Sequence, residues 1–225
     1  MTTFVLVHGA WHGSWAWDRV IPLLAQAGAH VITPALTLDS DVGLHDHVDE
    51  VVTAIDTATD RNVILVGHSY AGLVVRQAAD RRPERVVHVV LVEGWAGADG
   101  VSVAGLAPNW FMTRIRAAAG GGWRIPAPAP ALFGITDPGD ARWLEQRLRG
   151  HPLRSFTEPT LLCGAVDQIP GTGIYCRPQT FPFARFIAEI GYRPFALDGP
   201  HDVMLSHPQS VAGILLTLKN ENLEA

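Results

Sequence analysis

The sequence predicts an α/β fold built on a doubly wound, mostly parallel sheet. Short runs rich in β-branched residues alternate with longer segments of helical pattern, and the runs are almost wholly apolar. Strands of this kind are typical of a parallel sheet covered by helices on both faces, with right-handed crossovers between the strands. The predicted strands are Phe4–Val7, His30–Thr33, Asn62–Val66, Val86–Val92, Thr160–Cys163 and Arg193–Leu197.

The segments between these strands carry the start and stop signals of helices. Ser14 is placed to cap a helix that reaches Ala27, and Gly28 follows where a C-terminal glycine belongs. Asp137 is a second candidate cap, with Pro138 in the first turn. The other predicted helices are Leu44–Thr59, Tyr70–Arg81, Pro182–Ile190 and Pro208–Lys219, and Asp137 begins one that reaches Leu148.

The alternation of strand and helix is interrupted between Trp95 and Glu158. This segment contains three consecutive glycines from Gly120 and a Pro-Ala run from Pro126 to Pro130. It is too long for a connection inside a compact sheet. We therefore expect a single domain over residues 1–225, with a small cap or lid inserted at about residues 95–158.

Composition narrows the classes of function. The chain has 225 residues, of which 48% are apolar and 17% charged, as expected for one globular domain with a core. A net charge of −5 gives no general attraction to nucleic acid. No apolar stretch approaches the roughly 18 residues of a membrane span, so we expect no membrane partner. Two cysteines cannot build a disulfide scaffold, and the N-terminus lacks a basic signal region, which predicts a cytoplasmic protein.

The sharpest motif is Gly67-His-Ser69-Tyr-Ala71, which stands between an apolar strand and a helix. A strand-to-helix turn this tight requires small residues two positions before and after the serine, and Gly67 and Ala71 satisfy that requirement. The turn lifts the Ser69 hydroxyl above the sheet at a helix N-terminus, where free N–H groups favour a developing anion. An ordinary βα turn can also contain a serine, but the placement indicates a nucleophile.

A nucleophilic serine needs a base and an orienting acid, in the chain order Ser, acid, His. His201 directly follows the last predicted strand and is the predicted base. Asp167 also follows a predicted strand and lies between Ser69 and His201 in the sequence, so it is the favoured acid. Glu93, at the end of the strand Val86–Val92, is the alternative, either as the acid or as a buried pocket residue.

The loop that follows the first strand, Val7-His-Gly9-Ala-Trp11-His-Gly13, is expected to supply the second oxyanion donor. Gly9 lets the backbone approach a substrate closely. The predicted donors are the backbone N–H groups of Ala10 and Tyr70. Histidines 8 and 12 are expected to be hydrogen-bonded loop residues, and no metal or organic cofactor is predicted.

These motifs resemble the α/β-hydrolase superfamily, and within it the branch of plant methyl esterases, hydroxynitrile lyases and their bacterial relatives. The similar blocks are Phe4–Trp17, Val63–Gly72, Cys163–Pro170 and Gly199–Pro208. The resemblance implies an α/β-hydrolase fold with Ser69 as nucleophile, Asp167 as acid, His201 as base, and Ala10 and Tyr70 as oxyanion donors. The segment 95–158 departs from the branch because it is short and rich in Pro and Gly.

The same resemblance bears on the type of reaction. Lyases of this branch carry a lysine after the catalytic histidine and a threonine in the front loop, whereas this chain has Asp202 and Gly9 there. Departing cyanide needs a nearby cation, so the residues favour hydrolysis. The prediction is a carboxylesterase or methyl esterase acting on small to medium apolar or aromatic esters. A hydroxynitrile-type lyase, a thioesterase and a non-catalytic ligand receptor are the alternatives.

Several residues of the predicted cap and front loop are candidates for the substrate pocket. Aromatic side chains of the cap line an acyl or alcohol pocket in one interpretation and form the cap's own core in the other. The candidate pocket residues are Gly9, Trp11, Glu93, Trp95, Trp110 and Phe111.

Overall fold

The computed structural model describes residues 2–221 of the chain. In these residues the strands are β1 (Thr2–Val7), β2 (His30–Ile32), β3 (Asn62–His68), β4 (Val86–Val92), β5 (Arg124–Ile125), β6 (His151–Pro152), β7 (Gly171–Arg177) and β8 (Arg193–Asp198). Six of them form one sheet in the order β2-β1-β3-β4-β7-β8, in which all neighbours are parallel. The predicted doubly wound parallel sheet is therefore confirmed.

Helices connect the strands and cover the sheet. They are α1 (Ile21–Gln26), α2 (Leu44–Thr57), α3 (Ala71–Arg81), α4 (Val103–Leu106), α5 (Asn109–Ala119), α6 (Pro138–Glu145), α7 (Arg154–Thr157), α8 (Phe183–Glu189), α9 (Val203–Ser206) and α10 (Pro208–Glu221). Asp137 caps α6 as predicted, since its side chain accepts hydrogen bonds from the N–H groups of Gly139 and Asp140. The predicted helix from Ser14 to Ala27 is wrong in one respect: a 3₁₀ turn over Ser14–Trp17, not capped by Ser14, precedes α1.

The three central strands carry the loops that build the site. Phe4–Val7 in β1, Val63–Val66 in β3 and Val89–Val92 in β4 are fully buried, which explains why these runs are apolar at every position. A segment that contributes to the candidate site follows each strand at its carboxyl end, which is where ligands bind in open α/β sheets. The front loop follows β1, Ser69 follows β3 and Glu93 follows β4.

The predicted strand Thr160–Cys163 is wrong, because this segment is irregular and does not join the sheet. Most of its backbone N–H groups are bound by side chains instead: Leu161 N donates to Gln77, and Cys163 N donates to Asp80 at 2.6 Å. The strand that pairs with β4 is instead β7, which begins at Gly171, eight residues after Cys163. No strand was predicted over Gly171–Arg177.

Two glycines, Gly171 and Gly173, interrupt the apolar pattern of β7. A Cβ on Gly173 would lie 2.2 Å from the side chain of Ile187 in α8, and one on Gly171 would lie 2.3 Å from the ring of Tyr192. The strand therefore needs glycine for α8 and Tyr192 to pack against it. This requirement removes the continuous apolar run that marks the other strands.

The segment between β4 and β7 holds α4 to α7 and the antiparallel pair β5–β6. It is tied to both loops of the site by backbone hydrogen bonds. Arg149 N donates to Trp11 O at 2.9 Å, and Asp202 N donates to Phe133 O at 3.3 Å. The segment thus lies against the front loop and against the loop that carries His201.

Among residues 2–221 no helix combines the length and the apolar character that crossing a membrane requires.

Candidate active site

Ser69 lies in a strained turn between β3 and α3. Its φ angle is +53°, which is rare for a residue with a side chain and is typical of functional turns. The turn is crowded: a Cβ on Gly67 would lie 2.7 Å from the backbone O of Ala71, and one on Gly9 would lie 3.0 Å from the Cβ of Ser69. The small residues in the motif are therefore required by close backbone approach.

His201 connects Ser69 to a buried carboxylate, and that carboxylate belongs to Glu93. His201 Nε2 lies 2.9 Å from Ser69 Oγ, and His201 Nδ1 lies 3.1 Å from Glu93 Oε2. Glu93 is 1% exposed, and its second oxygen accepts a 2.6 Å hydrogen bond from the N–H of Cys176 in β7. An Nδ1–H bound to Glu93 leaves Nε2 as the acceptor for the serine proton, which is the tautomer that a general base needs.

The structure does not bring Asp167 to His201, so the prediction that it orients the base is wrong. The Asp167 carboxylate pairs with Arg76 at 3.0 Å, and its side chain is 59% exposed. Asp167 precedes the amino end of β7, whose first residue, Gly171, pairs with Val89 in the middle of β4. It therefore lies toward the amino ends of the strands, whereas the site is at their carboxyl ends. The misplaced strand Thr160–Cys163 caused the error.

Glu93 is fixed in place by the backbone around it. Its φ angle is +49°, a second strained position in the site, and its N–H donates to Ile174 O at 2.8 Å. The hydrogen bonds to Ile174 and Cys176 show that β7 holds the Glu93 carboxylate in place, although β7 supplies no carboxylate itself. The signal for Glu93 was present in the sequence as a carboxylate directly after a buried strand.

The two predicted oxyanion donors belong to the same cavity as Ser69. Ala10 belongs to the front loop and Tyr70 is the residue before α3, and both line the cavity that contains Ser69 and His201. Within residues 2–221 the backbone N–H groups of Ala10 and Tyr70 have no acceptor in the protein. Free N–H groups at the start of a helix and in a loop beside it are suited to bind an oxyanion.

The cavity over Ser69 has a volume of about 290 Å³ and is largely aromatic. Four of the predicted pocket residues line it: Trp11, Trp95, Trp110 and Phe111. Gly9 and Glu93 do not; Gly9 lies beneath Ser69, and Glu93 lies behind His201. Phe133, Phe156 and Phe181 add to the aromatic lining, and Arg114 contributes a cationic side chain from α5.

Asp202, the residue after His201, does not line the cavity and does not reach solvent. The residue is fully buried and its Oδ2 lies 2.9 Å from His12 Nε2. Burial opposes the charged form of both groups, but each partner outweighs that effect. The pKa of His12 is consequently raised by Asp202, and the pKa of Asp202 is lowered by His12.

One group of side chains in the described residues has metal-ligand character. His68, His201 and Asp202 each bring one ligand atom within 4.8 Å of the others. Both ring nitrogens of His201 are already hydrogen-bonded to Ser69 and Glu93. An ion at this point would take His201 away from Ser69, so the donor set does not fit a metal alongside the hydrogen-bonded serine.

Five buried histidines have lowered pKa values, and this has a consequence for stability. Burial lowers the pKa of each of them, for His8 to about 3. Hydrogen bonds agree, since His8 Nε2 accepts from Leu36 N at 3.0 Å and therefore carries no proton. The five are His8, His47, His68, His88 and His151.

We expect the protein to lose stability as the pH falls from 7 to 5.5. As the pH falls through about 6.5 the unfolded chain protonates these histidines, whereas their lowered pKa values keep them less protonated in the folded chain, so the unfolded state binds more protons. Each can contribute up to about 1.4 kcal/mol per pH unit. His12 has the opposite shift and offsets part of this loss near pH 7, but the offset fades as the pH falls and the unfolded chain protonates His12 as well. Urea unfolding at several pH values measures the free energy of unfolding.

The matched variant is His88→Gln, which removes one of the five histidines at a position hydrogen-bonded to Thr172 and away from the site. Its unfolding free energy should depend less steeply on pH, by about one histidine's share. A wild-type free energy that is constant between pH 7 and 5.5 would show that these histidines are not neutral in the folded state.

Comparisons with known proteins identify the family of the chain. The model of the alpha/beta hydrolase family matches residues 4–214. A carbendazim hydrolyzing esterase from Nocardioides sp. (strain SG-4G) is 31% identical, over 97% of this chain and 100% of that protein. Methylesterase 1 from Arabidopsis thaliana is 36% identical, over 37% of this chain and 35% of that one.

Solved structures show the same fold. An extracellular alpha/beta-hydrolase from a Paenibacillus species has a TM-score of 0.86 at 24% identity, over 96% of this chain and 98% of that one. A methylesterase from Arabidopsis has a TM-score of 0.81 at 18% identity, over 98% and 99% of the two chains. The resemblance to the branch that contains the methyl esterases is thereby confirmed, and the chain belongs to the α/β-hydrolase family as an esterase-type member.

Proposed function

We propose that this protein is a serine carboxylesterase whose catalytic residues are Ser69, His201 and Glu93. The observation that carries the proposal is the continuous hydrogen-bonded chain from Ser69 Oγ through His201 to the buried Glu93 carboxylate, at 2.9 and 3.1 Å. The serine end of this chain opens into an apolar cavity, and the carboxylate end is shielded from water. This arrangement activates a hydroxyl for attack on a carbonyl.

In the first half of the reaction Ser69 Oγ attacks the ester carbonyl while His201 Nε2 takes the serine proton. The carbonyl oxygen becomes an oxyanion and is held by the N–H groups of Ala10 and Tyr70. When the tetrahedral intermediate collapses, the bond to the alcohol breaks, and His201 returns its proton to the leaving alkoxide. The products of this half are an acyl-Ser69 ester and the free alcohol.

In the second half water attacks the acyl-enzyme. His201 Nε2 removes a proton from the water, and the same N–H groups of Ala10 and Tyr70 stabilise the second oxyanion. Collapse breaks the acyl bond to Ser69 Oγ, which regains its proton from His201. Glu93 stays ionised throughout and stabilises the imidazolium that forms in each half, so no metal or organic cofactor takes part.

The cavity supports small to medium apolar or aromatic esters as the substrate class. Its aromatic lining buries apolar groups, and the segment 95–158 covers Ser69 as a cap. The named relatives are also esterases of small molecules: one is named for hydrolysing carbendazim and others are named methylesterases. A volume of about 290 Å³ suits a substrate with one aromatic ring more closely than a long acyl chain.

The residue that follows His201 favours hydrolysis over cyanide elimination. The residue after it, Asp202, is buried in an ion pair with His12. No cation is therefore held at the position after the histidine, where the resembling lyases carry lysine. Ester hydrolysis has no such requirement, since its oxyanion is bound by backbone N–H groups.

The proposal is tested by offering the purified protein both reaction types. We expect turnover of p-nitrophenyl acetate and of a methyl benzoate-type ester, and no cyanide release from mandelonitrile above the uncatalysed rate. The matched control is Ser69→Ala, which should lose ester turnover. Cyanide release that depends on Ser69 would assign the site to a lyase, and binding of the esters without turnover would assign it to a receptor.

A further inference from the structure

A buried cluster of two histidines and one carboxylate lies behind the proposed catalytic residues. Its members are sequence neighbours of the groups that do the chemistry. Asp202 follows His201, His68 precedes Ser69, and His12 lies two residues after Ala10. All three are buried, with Asp202 and His68 at 0% and His12 at 1% exposure.

His12 joins the front loop to the loop that carries His201. Its Nε2–H donates to Asp202 Oδ2 at 2.9 Å, and its Nδ1–H donates to the backbone O of Ala10 at 2.8 Å. Both contacts face acceptors, so both ring nitrogens carry protons and the ring is a cation opposite the Asp202 anion. The pair therefore fixes the peptide next to a proposed oxyanion donor.

His68 joins the nucleophile turn to the same loop. Its Nε2 lies 3.2 Å from the backbone O of His201 and 3.7 Å from Asp202 Oδ1. The rings of His68 and His201 are 4.8 Å apart. The residue before Ser69 thus contacts both the backbone and the ring of the proposed base.

We propose, on the basis of the proposed esterase function, that Asp202, His12 and His68 are positioning residues that hold the front loop, the Ser69 turn and the His201 loop in catalytic register. None of the three lines the substrate cavity, so they act through Ala10, Ser69 and His201. The physical reason is that a displacement of about 1 Å in a catalytic group can cost a hundredfold in rate.

A purely stabilising role is the weaker explanation for a buried ion pair. Removing two charges from water costs much of what their attraction returns, so such pairs contribute little net stability compared with apolar residues of the same volume. The pair instead fixes geometry: the hydrogen bonds of His12 hold the backbone at Ala10 and the side chain of Asp202 at set distances from each other. The three loops come from sequence positions up to 190 residues apart.

The test is Asp202→Asn, which keeps the shape of the side chain and removes its charge. We expect kcat on p-nitrophenyl acetate to fall about 10–100-fold, with KM within twofold of wild type, at a temperature well below the unfolding transition. A merely structural role would lower the melting temperature and leave the kcat of the folded fraction unchanged. The matched control is Asp60→Asn, which breaks an aspartate–histidine pair with His30 that lies outside the site.

A crystal structure of Asp202→Asn gives a readout that does not depend on esterase activity. We expect the contact of 2.9 Å between His201 Nε2 and Ser69 Oγ to be lost, and the backbone at Ala10 to shift. A folded variant with wild-type kcat and an intact contact overturns the proposal. If Asp202→Asn does not fold, His12→Gln is measured in the same two ways.

The two proposals fail in different ways. If wild type and Asp60→Asn both lack ester turnover, the esterase proposal fails, and the crystal structures alone decide whether Asp202 holds the loops in register. If both turn over ester and Asp202→Asn equals them, only the positioning proposal fails.

Discussion

Ser69→Ala will abolish ester hydrolysis, with a fall in kcat of at least about 10⁴-fold. In a well-studied serine protease, removal of the nucleophile costs about a millionfold, and the residual rate comes from the oxyanion hole and substrate binding. The same residual is expected here, because Ala10 and Tyr70 remain in place. The fold should be unchanged, since alanine and serine meet the same backbone strain at a φ of +53°.

This result is measured as p-nitrophenyl acetate turnover beside circular dichroism and thermal unfolding. Ser210→Ala, an exposed serine on α10, is the matched control and should keep wild-type kcat. Retained activity in a folded Ser69→Ala protein would remove this serine from the mechanism.

Glu93→Gln will lower kcat by about 10²- to 10⁴-fold, whereas Asp167→Asn will leave it within about twofold of wild type. An amide in place of the orienting carboxylate holds the base in the wrong tautomer, which in a serine protease costs about 10⁴-fold. Glutamine keeps an oxygen for Cys176 N but presents an NH₂ group to His201 Nδ1. Asp167 is exposed and paired with Arg76, so its loss reaches no catalytic group.

The two variants are compared by kcat and KM on one ester. KM should change little in either, because neither side chain lines the cavity. If Asp167→Asn proved the more damaging change, Glu93 would lose its assignment as the acid.

Much of the fold and two of the three proposed catalytic residues could be predicted because the signals are local. The all-apolar runs identify β1, β3 and β4, whose two faces are both buried. The small residues around Ser69 are dictated by the tight turn itself, and His201 follows β8, the last strand of the sheet. In each case residues close in sequence carry the structural requirement.

The acid could not be assigned from sequence because its position depends on which strand borders β4. The apolar run Leu161-Leu162 has the pattern of a strand but does not form one. The true neighbour of β4 is β7, whose pattern is interrupted by glycines that leave room for the side chains of Ile187 and Tyr192. Because the strand was misplaced, Asp167 was predicted at the carboxyl edge of the sheet. It lies toward the amino edge. Glu93 was considered, but only the hydrogen bonds from β7 show how its carboxylate is held.

The pair of His12 with Asp202 could not be predicted at all. The two residues are 190 positions apart, and neither motif around them contains a signal for the other. Only the packing of the front loop against the His201 loop brings them together. The sequence shows that an aspartate follows His201, but it does not show the direction of that side chain.

The most direct test of the account is to identify the nucleophile by covalent labelling. The protein is treated with diethyl p-nitrophenyl phosphate, which phosphorylates activated serines and releases p-nitrophenol, and the adduct is located by peptide mass spectrometry. We predict one diethylphosphoryl group per chain, attached to Ser69, with concurrent loss of ester turnover and slow labelling in Glu93→Gln. An unlabelled Ser69 in a protein that hydrolyses esters, or inactivation by an adduct at another residue, would contradict the mechanism.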